Sequence, residues 1–130
     1  MNRVRNLAPE IPLRIGLGAM YLYSGFDLLM HPDHWYGFAP AWFERALAPI
    51  FSLDSYLRLQ GLGEAALGLL FLAWFLGARG LRIASLLATM ELALILIFSG
   101  IDPITFRDLG LLGAAIASLA LSSKDSCRTA

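Results

Sequence analysis

A single cysteine, Cys127, occurs in the 130 residues, and it lies in the polar tail. An intramolecular disulfide, a Cys-x-x-Cys redox pair and a cysteine-rich metal site are therefore excluded, and any electron transfer has to run through another group. Charge is scarce as well. Asp, Glu, Lys and Arg make up 15% of the chain against 58% hydrophobic residues, too few polar side chains to coat a water-soluble globule of this size. The formal net charge is zero, which removes a global electrostatic case for nucleic acid or for a strongly acidic partner. Glycine-rich phosphate loops, nucleophile elbows and basic nucleic-acid patches are missing. So are linkers, low-complexity tracts and repeat units, which leaves one domain over residues 1–130.

What the chain has instead is long apolar runs. A spanning helix takes about 20 mostly apolar residues, and four runs qualify: Ile11–Met30, Tyr56–Leu76, Leu81–Gly100 and Ile104–Leu121. The pattern predicts an all-α bundle of four transmembrane helices in a lipid bilayer. Arg3 and Arg5 ahead of the first run resemble the start of a signal peptide, but the run is long for one and Ala39-Pro40-Ala41 lies well beyond its end. The first run is therefore expected to stay as a span, entered through Pro12, whose missing N–H has no helical partner in the first turn.

The basic residues orient the bundle. Arg3, Arg5, Arg14, Arg79, Arg82, Lys124 and Arg128 fall on one side of a four-span hairpin, whereas Arg45, Arg58 and Arg107 fall in or near the opposite segments. The positive-inside rule then places both termini and a turn at Gly77-Ala78-Arg79-Gly80 in the cytoplasm. Two connections face outward, a long one over residues 31–55 and a tight turn around Ile101-Asp102-Pro103. The long one carries His31, Trp35, Tyr36, Phe38, Trp42 and Phe43, suited to headgroup level, and is broken by Pro32, Pro40 and Pro49.

Small residues mark the expected packing faces: Gly61, Ala65 and Gly68 on the second span, and Gly110, Gly113, Ala114 and Ala117 on the fourth. In lipid such faces let backbones approach closely, within one bundle or across a homodimer.

Ionisable residues inside a bilayer are costly and point to function. Arg14 is near enough to the cytoplasmic end to snorkel as an anchor. Counted from the outer ends at about 1.5 Å per residue, Asp27 and Arg107 lie roughly 5 Å deep, Glu64 about 12 Å and Glu91 about 14 Å. Gln60 is one turn from Glu64, Tyr23 one turn from Asp27, and Asp108 follows Arg107. These residues predict one polar layer in the outer half, with four carboxylates facing a single guanidinium. Apolar surroundings and neighbouring carboxylates both disfavour charge, so at least one of Glu64 and Glu91 is expected to be protonated at neutral pH and able to exchange its proton. Two readings stay open. In one, Arg107 pairs with Glu64 or Glu91 merely to pin the bundle. In the other, the layer lines an outward-opening pocket walled by Tyr21, Tyr23, Trp35 and Phe106. His31 and His34 with Asp33 are too crowded on one proline-broken loop for a metal site to be expected.

Three stretches taken together resemble the DoxX/DoxD family of small membrane proteins: Leu13-Arg14-Ile15-Gly16-Leu17-Gly18 running into Ser24-Gly25-Phe26-Asp27, then His31 to Pro40, then Phe106-Arg107-Asp108-Leu109-Gly110-Leu111-Leu112-Gly113. Gly63-Glu64, Leu67-Gly68-Leu69-Leu70 and Gly77-Ala78-Arg79 are similar to the family's second span and following turn. The resemblance implies a four-helix bundle that in some relatives is the membrane subunit of thiosulfate:quinone oxidoreductase and in others joins redox-defence assemblies with soluble partners. It also implies a bacterial or archaeal cytoplasmic membrane. By position it carries Asp27, Glu64, Arg107 and Asp108; Glu91 is added on depth alone. One position departs, since similar sequences often read Asp-Lys where this chain has Asp27-Leu28, leaving Asp27 one counter-charge short.

The expected function is thus a membrane subunit of a quinone-linked oxidoreductase, with Glu64 and Glu91 exchanging protons and Asp27, Gln60, Arg107, Asp108, Tyr23 and Trp35 binding the ligand. The alternatives are a noncatalytic accessory subunit of a larger membrane complex and, third, a small-solute carrier, for which four spans offer little alternating-access machinery.

Overall fold

The computed structural model describes residues 9–103 and 105–128, with side chains as far as Ser123. Arg3, Arg5 and Ile104 lie outside the described residues, as do the side chains of Lys124, Cys127 and Arg128, so part of the charge-based orientation rests on sequence alone. Among the described residues the chain is all-helical, with no strand. Four long helices, α1 (Glu10–Met30), α3 (Leu53–Leu72), α4 (Gly77–Ser99) and α5 (Phe106–Arg128), are joined by short turns and by one longer connection. That connection holds a 3-10 turn, Pro32–Phe38, and a short helix α2, Ala41–Leu47. Two segments, Trp74–Ser99 and Phe106–Ser123, are long and apolar enough to cross a membrane. Helices α1 and α3 have comparable lengths of 21 and 20 residues but carry Arg14, Asp27, Arg58, Gln60 and Glu64.

Local chemistry explains most boundaries. Ser52 starts α3 by accepting the Ser55 N–H at 3.2 Å, which satisfies one of the helix's free donors. The expected second run extends to Leu76, yet α3 stops at Leu72 and a 3-10 turn, Trp74–Leu76, reverses the chain. Gly77 takes φ 58° there, a region open to glycine without the cost of a Cβ. The turn expected at Gly77-Ala78-Arg79-Gly80 is therefore displaced: those residues already form the first turn of α4. At the other end Gly100, with φ 75°, closes α4. Asp102 Oδ1 accepts the Thr105 N–H at 2.7 Å while Thr105 Oγ1 accepts the Asp102 N–H at 2.8 Å, a reciprocal cap ahead of α5.

The long helices pack as two close antiparallel pairs. In α1–α3, Gly18 and Gly25 face Gly68 and Gly61. A Cβ on Gly25 would lie 2.5 Å from the Ala65 nitrogen and 2.7 Å from the Gly61 oxygen; one on Gly68 would lie 2.8 Å from the Leu22 nitrogen. These backbones touch, as small residues at membrane helix interfaces allow. The Gly61–Gly68 face expected from the sequence is thus used. The one expected on α5 is not: Gly110, Gly113 and Ala117 are exposed, and no atom stands within 4 Å of a Cβ placed on either glycine. Helix α5 instead turns Ala115, Ser118 and Ser122 inward, with Ser85 of α4 donating to Ser118 Oγ at 2.8 Å.

The pairs meet through Leu17, Tyr21, Leu67 and Phe71 on one side and Leu81, Ala84, Ala88, Leu92 and Ala115 on the other. Arg14 is only 3% exposed. It does not extend outward as an anchor but turns in, donating from Nε to Phe71 O at 2.9 Å and from Nη2 to Ala73 O at 3.2 Å, with its guanidinium 4.9 Å from the Trp74 ring centroid. Arg58 of α3 does the converse at the opposite end, donating to Leu29 O at the close of α1. Each helix of the pair therefore lends an arginine to the other's C-terminal carbonyls, which lack intrahelical donors.

Candidate functional site

Beyond the shared core the two pairs part, and a cleft of ≈ 1480 Å³ opens between them towards the loop end of the molecule. Its walls are largely apolar side chains of α1, α3, α4 and α5. Aromatic contacts roof it. Trp42 of α2 lies 5.6 Å from Phe98 of α4, and Phe43 lies 5.0 Å from Tyr56 of α3, so α2 bridges the two pairs across the opening. Trp35 and Phe38, 5.8 Å apart, form the adjoining edge.

The polar groups sit inside this apolar shell. Glu64 is 6% exposed and accepts a hydrogen bond from Gln60 Nε2 at 3.1 Å, the one-turn spacing placing both on one face of α3. The Ser24 hydroxyl of α1 approaches the same carboxyl. Opposite, Glu91 of α4 is half-buried and faces Tyr21 of α1. The Tyr21 ring stacks on Phe71 at 6.1 Å and is 2% exposed. Its hydroxyl is shielded yet closes no hydrogen bond of ordinary geometry. Buried polar atoms nearly always have a partner, and the group nearest to serving as one for this hydroxyl, at the floor of the cleft, is the Glu91 carboxyl.

Arg107 and Asp108, at the start of α5, also line the cleft. Arg107 is exposed and forms no ion pair with Glu64, Glu91 or Asp108 among the described residues. The pinning role is thereby corrected. Arg107 stands in the first turn of α5, at the rim, whereas the two glutamates lie within the cleft.

Asp27 is not part of the layer. Its carboxylate accepts from Trp35 Nε1 at 2.8 Å and lies against the imidazoles of His31 and His34, so it faces the 3-10 turn instead of the cleft. Of the expected aromatic walls, Tyr21, Tyr23 and Trp35 line the cleft, Tyr21 buried and Tyr23 77% exposed, while Phe106 is exposed outside it. Tyr36, in the connection outside the long helices, donates to Asp54 Oδ1 at 3.2 Å. Partial desolvation and then the Asp54 carboxylate raise the Tyr36 phenol above its ordinary range.

Sequence reasoning missed Ser24, Thr105, Tyr56 and Phe98 as lining residues. Ser24 had a signal, three residues after Tyr21 on the same helix face; the others depend on how the pairs diverge. No family model matches the chain, and no curated protein or solved structure matches it either.

Chemically, the cleft offers a carboxyl held by an amide and a hydroxyl, and a second carboxyl facing a phenol, within an apolar, aromatic shell. That set suits a neutral ring-bearing molecule with hydrogen-bonding oxygens.

Proposed function

We propose that the chain is a DoxX-like membrane protein of four spans that serves as the quinone-handling subunit of an oxidoreductase, with the quinone ring in the cleft between the two helix pairs. Four spans are supported by an inside-out distribution of polarity. Ile15, Phe26, Leu59, Leu62, Leu69, Ile83, Leu94 and Ile97 are exposed on the outside, while Arg14, Glu64, Ser85 and Ser118 are buried. A water-soluble bundle would reverse this pattern. Helices α1 and α3 fall short in hydropathy because they carry inward-facing polar groups, and their outward faces remain apolar. Both termini are assigned to the cytoplasm by the positive-inside rule, and the cleft then opens in the outer half.

The observation that carries the functional reading is Glu64: a carboxyl buried in an apolar cleft, paired with no cation among the described residues, with the Tyr21 hydroxyl and Glu91 in the same cleft. Reduction of a quinone to its quinol takes two electrons and two protons. The electrons come from a redox group of a partner subunit. Glu64 supplies one proton and Glu91 the other, each recovering it from water at the outer opening. Arg107 at the rim holds the anionic intermediate or the polar head. Replacing Glu64 with Gln keeps the shape and the Gln60 contact but removes the exchangeable proton. Quinone-linked turnover in the native membrane should fall about 10²–10⁴-fold, the range of a lost general acid, with the protein still assembled. Undiminished turnover in the assembled variant would sink the proton-transfer role.

A second reading, a noncatalytic accessory subunit of a larger membrane complex, is favoured by the exposed Gly110, Gly113 and Ala117 on α5, where close packing against another helix is sterically open. In that case Glu64→Gln is silent for the activity of the complex.

A further inference from the structure

At the end of α1, away from the cleft interior, Asp27, His31 and His34 converge. One donor atom from each lies within 4.8 Å of the others. We propose that these three side chains form a binding site for a first-row divalent metal ion, with zinc the best match to their chemistry. The inference stands apart from the quinone reading.

The backbone builds the cluster. His31 ends α1 with its N–H still bonded to Asp27 O at 2.7 Å, and the His34 N–H bonds to His31 O at 3.1 Å. One helical turn and one 3-10 turn therefore fix the spacing Asp27-x3-His31-x2-His34. Pro32, buried at the first position of the 3-10 turn, does not disrupt the pair of histidines. It begins the turn that brings His34 round to the carboxylate. The third ligand is Asp27 from the preceding helix, not the neighbouring Asp33.

The separations are long for a tight hydrogen-bonded staple, the His34 Nδ1–Asp27 Oδ2 contact alone meeting hydrogen-bond geometry, and they leave room for an ion. His31 Nδ1 stands 3.5 Å from Asp27 Oδ1, and His34 Nδ1 stands 3.4 Å from Asp27 Oδ2. Both exceed the usual N–H···O separation of about 2.9–3.0 Å. Each imidazole lies beside a different carboxylate oxygen, and the three donor atoms fall within 4.8 Å of one another; tetrahedral coordination with bonds of about 2.0–2.1 Å sets donors roughly 3.3–3.4 Å apart, a closure the two exposed rings can make. The two imidazole rings stack, with centroids 5.0 Å apart and planes inclined by 15°, and both reach the carboxylate with Nδ1.

The surroundings supply what a metal site needs. Trp35 Nε1 donates to Asp27 Oδ2 at 2.8 Å, the kind of outer hydrogen bond that orients a ligating carboxylate. The histidine side chains are 57% exposed and Asp27 is 23% exposed, so an ion can enter from water and keep water in its remaining position. Two imidazoles and one carboxylate suit zinc and, by the same donor set, copper(II) or nickel(II).

The test uses the full chain, without a histidine tag, stripped of metal in lipid nanodiscs and titrated with Zn²⁺ by calorimetry. The expected result is one zinc per chain, with His31→Ala and His34→Ala each weakening binding by at least about tenfold and the double variant abolishing it. Trp35→Phe should weaken it by about tenfold through the loosened carboxylate. Asp33→Asn should leave it unchanged. Both histidines are exposed, so their variants keep the fold, which circular dichroism checks. Absence of wild-type binding, or zinc bound equally well by the His31→Ala/His34→Ala double variant, would overturn the proposal.

Discussion

Arg14 supplies donors to two carbonyls at the end of α3 that lack intrahelical partners. Hydrogen bonds from a charged group contribute about 1.5–3 kcal/mol, and Arg14 makes two of them to Phe71 and Ala73 while buried. Arg14→Ala should therefore destabilise the protein by about 2–3 kcal/mol, read as a lower unfolding midpoint in detergent micelles. Arg14→Lys should recover part of the loss, because one ammonium cannot span both carbonyls with a planar fork. Tyr21 predicts the opposite pattern. Its hydroxyl closes no hydrogen bond of ordinary geometry and faces Glu91, so Tyr21→Phe should leave stability within about 0.5 kcal/mol yet weaken binding of a short-chain quinone about fivefold, the equivalent of one hydrogen bond of about 1 kcal/mol. A stability loss without an affinity change would place the hydroxyl in the fold, not in the site. The Gln60–Glu64 contact was legible from one-turn spacing alone, because both residues share a single regular helix. Asp27 was not. Its partners are set by a 3-10 turn whose direction no helical periodicity encodes.

Among the helices, the α1–α3 contact is the tightest feature. At Gly25 an added methyl group meets backbone, which cannot swing aside as a side chain would. Gly25→Ala should cost about 1–3 kcal/mol, whereas Gly113→Ala, in open space on α5, should be neutral or gain up to about 1 kcal/mol from helix propensity. Thermal unfolding of the two variants side by side checks both. A small-residue face is legible in sequence as a capacity for close approach; Gly61 and Gly68 realise it and Gly110 and Gly113 do not. The difference lies in tertiary arrangement, since α5 satisfies α4 through Ala115, Ser118 and Ser122 instead. The early end of α3 was hidden for a related reason: Ala73, Trp74, Phe75 and Leu76 are apolar enough to read as helix, and the reversal is set by the positive φ available to Gly77.

At the scale of the whole molecule, long exposed apolar faces around a few buried polar groups support the proposal that lipid solvates the bundle. If both termini are cytoplasmic, a thiol reagent that does not cross membranes should label Cys127 only after permeabilisation, and a cysteine introduced at exposed Ala48 should react in intact cells once Cys127 is replaced. Reversed labelling would invert the bundle and move the cleft to the cytoplasmic side. Polypeptides recovered with the protein in mild detergent separate the two functional readings: a soluble oxidoreductase or sulfur-handling protein fits a quinone-linked subunit, and a large membrane complex fits an accessory one. The central claim is that the cleft seats a quinone against Glu64 and Tyr21, and photolabelling with an azidoquinone in nanodiscs, followed by peptide mapping, tests it most directly. The account predicts labels on the α1 and α3 segments carrying Tyr21 and Gln60–Glu64, displaced by unmodified quinone. Labelling that resists displacement, or that falls only on the outer lipid-facing surfaces, would contradict it.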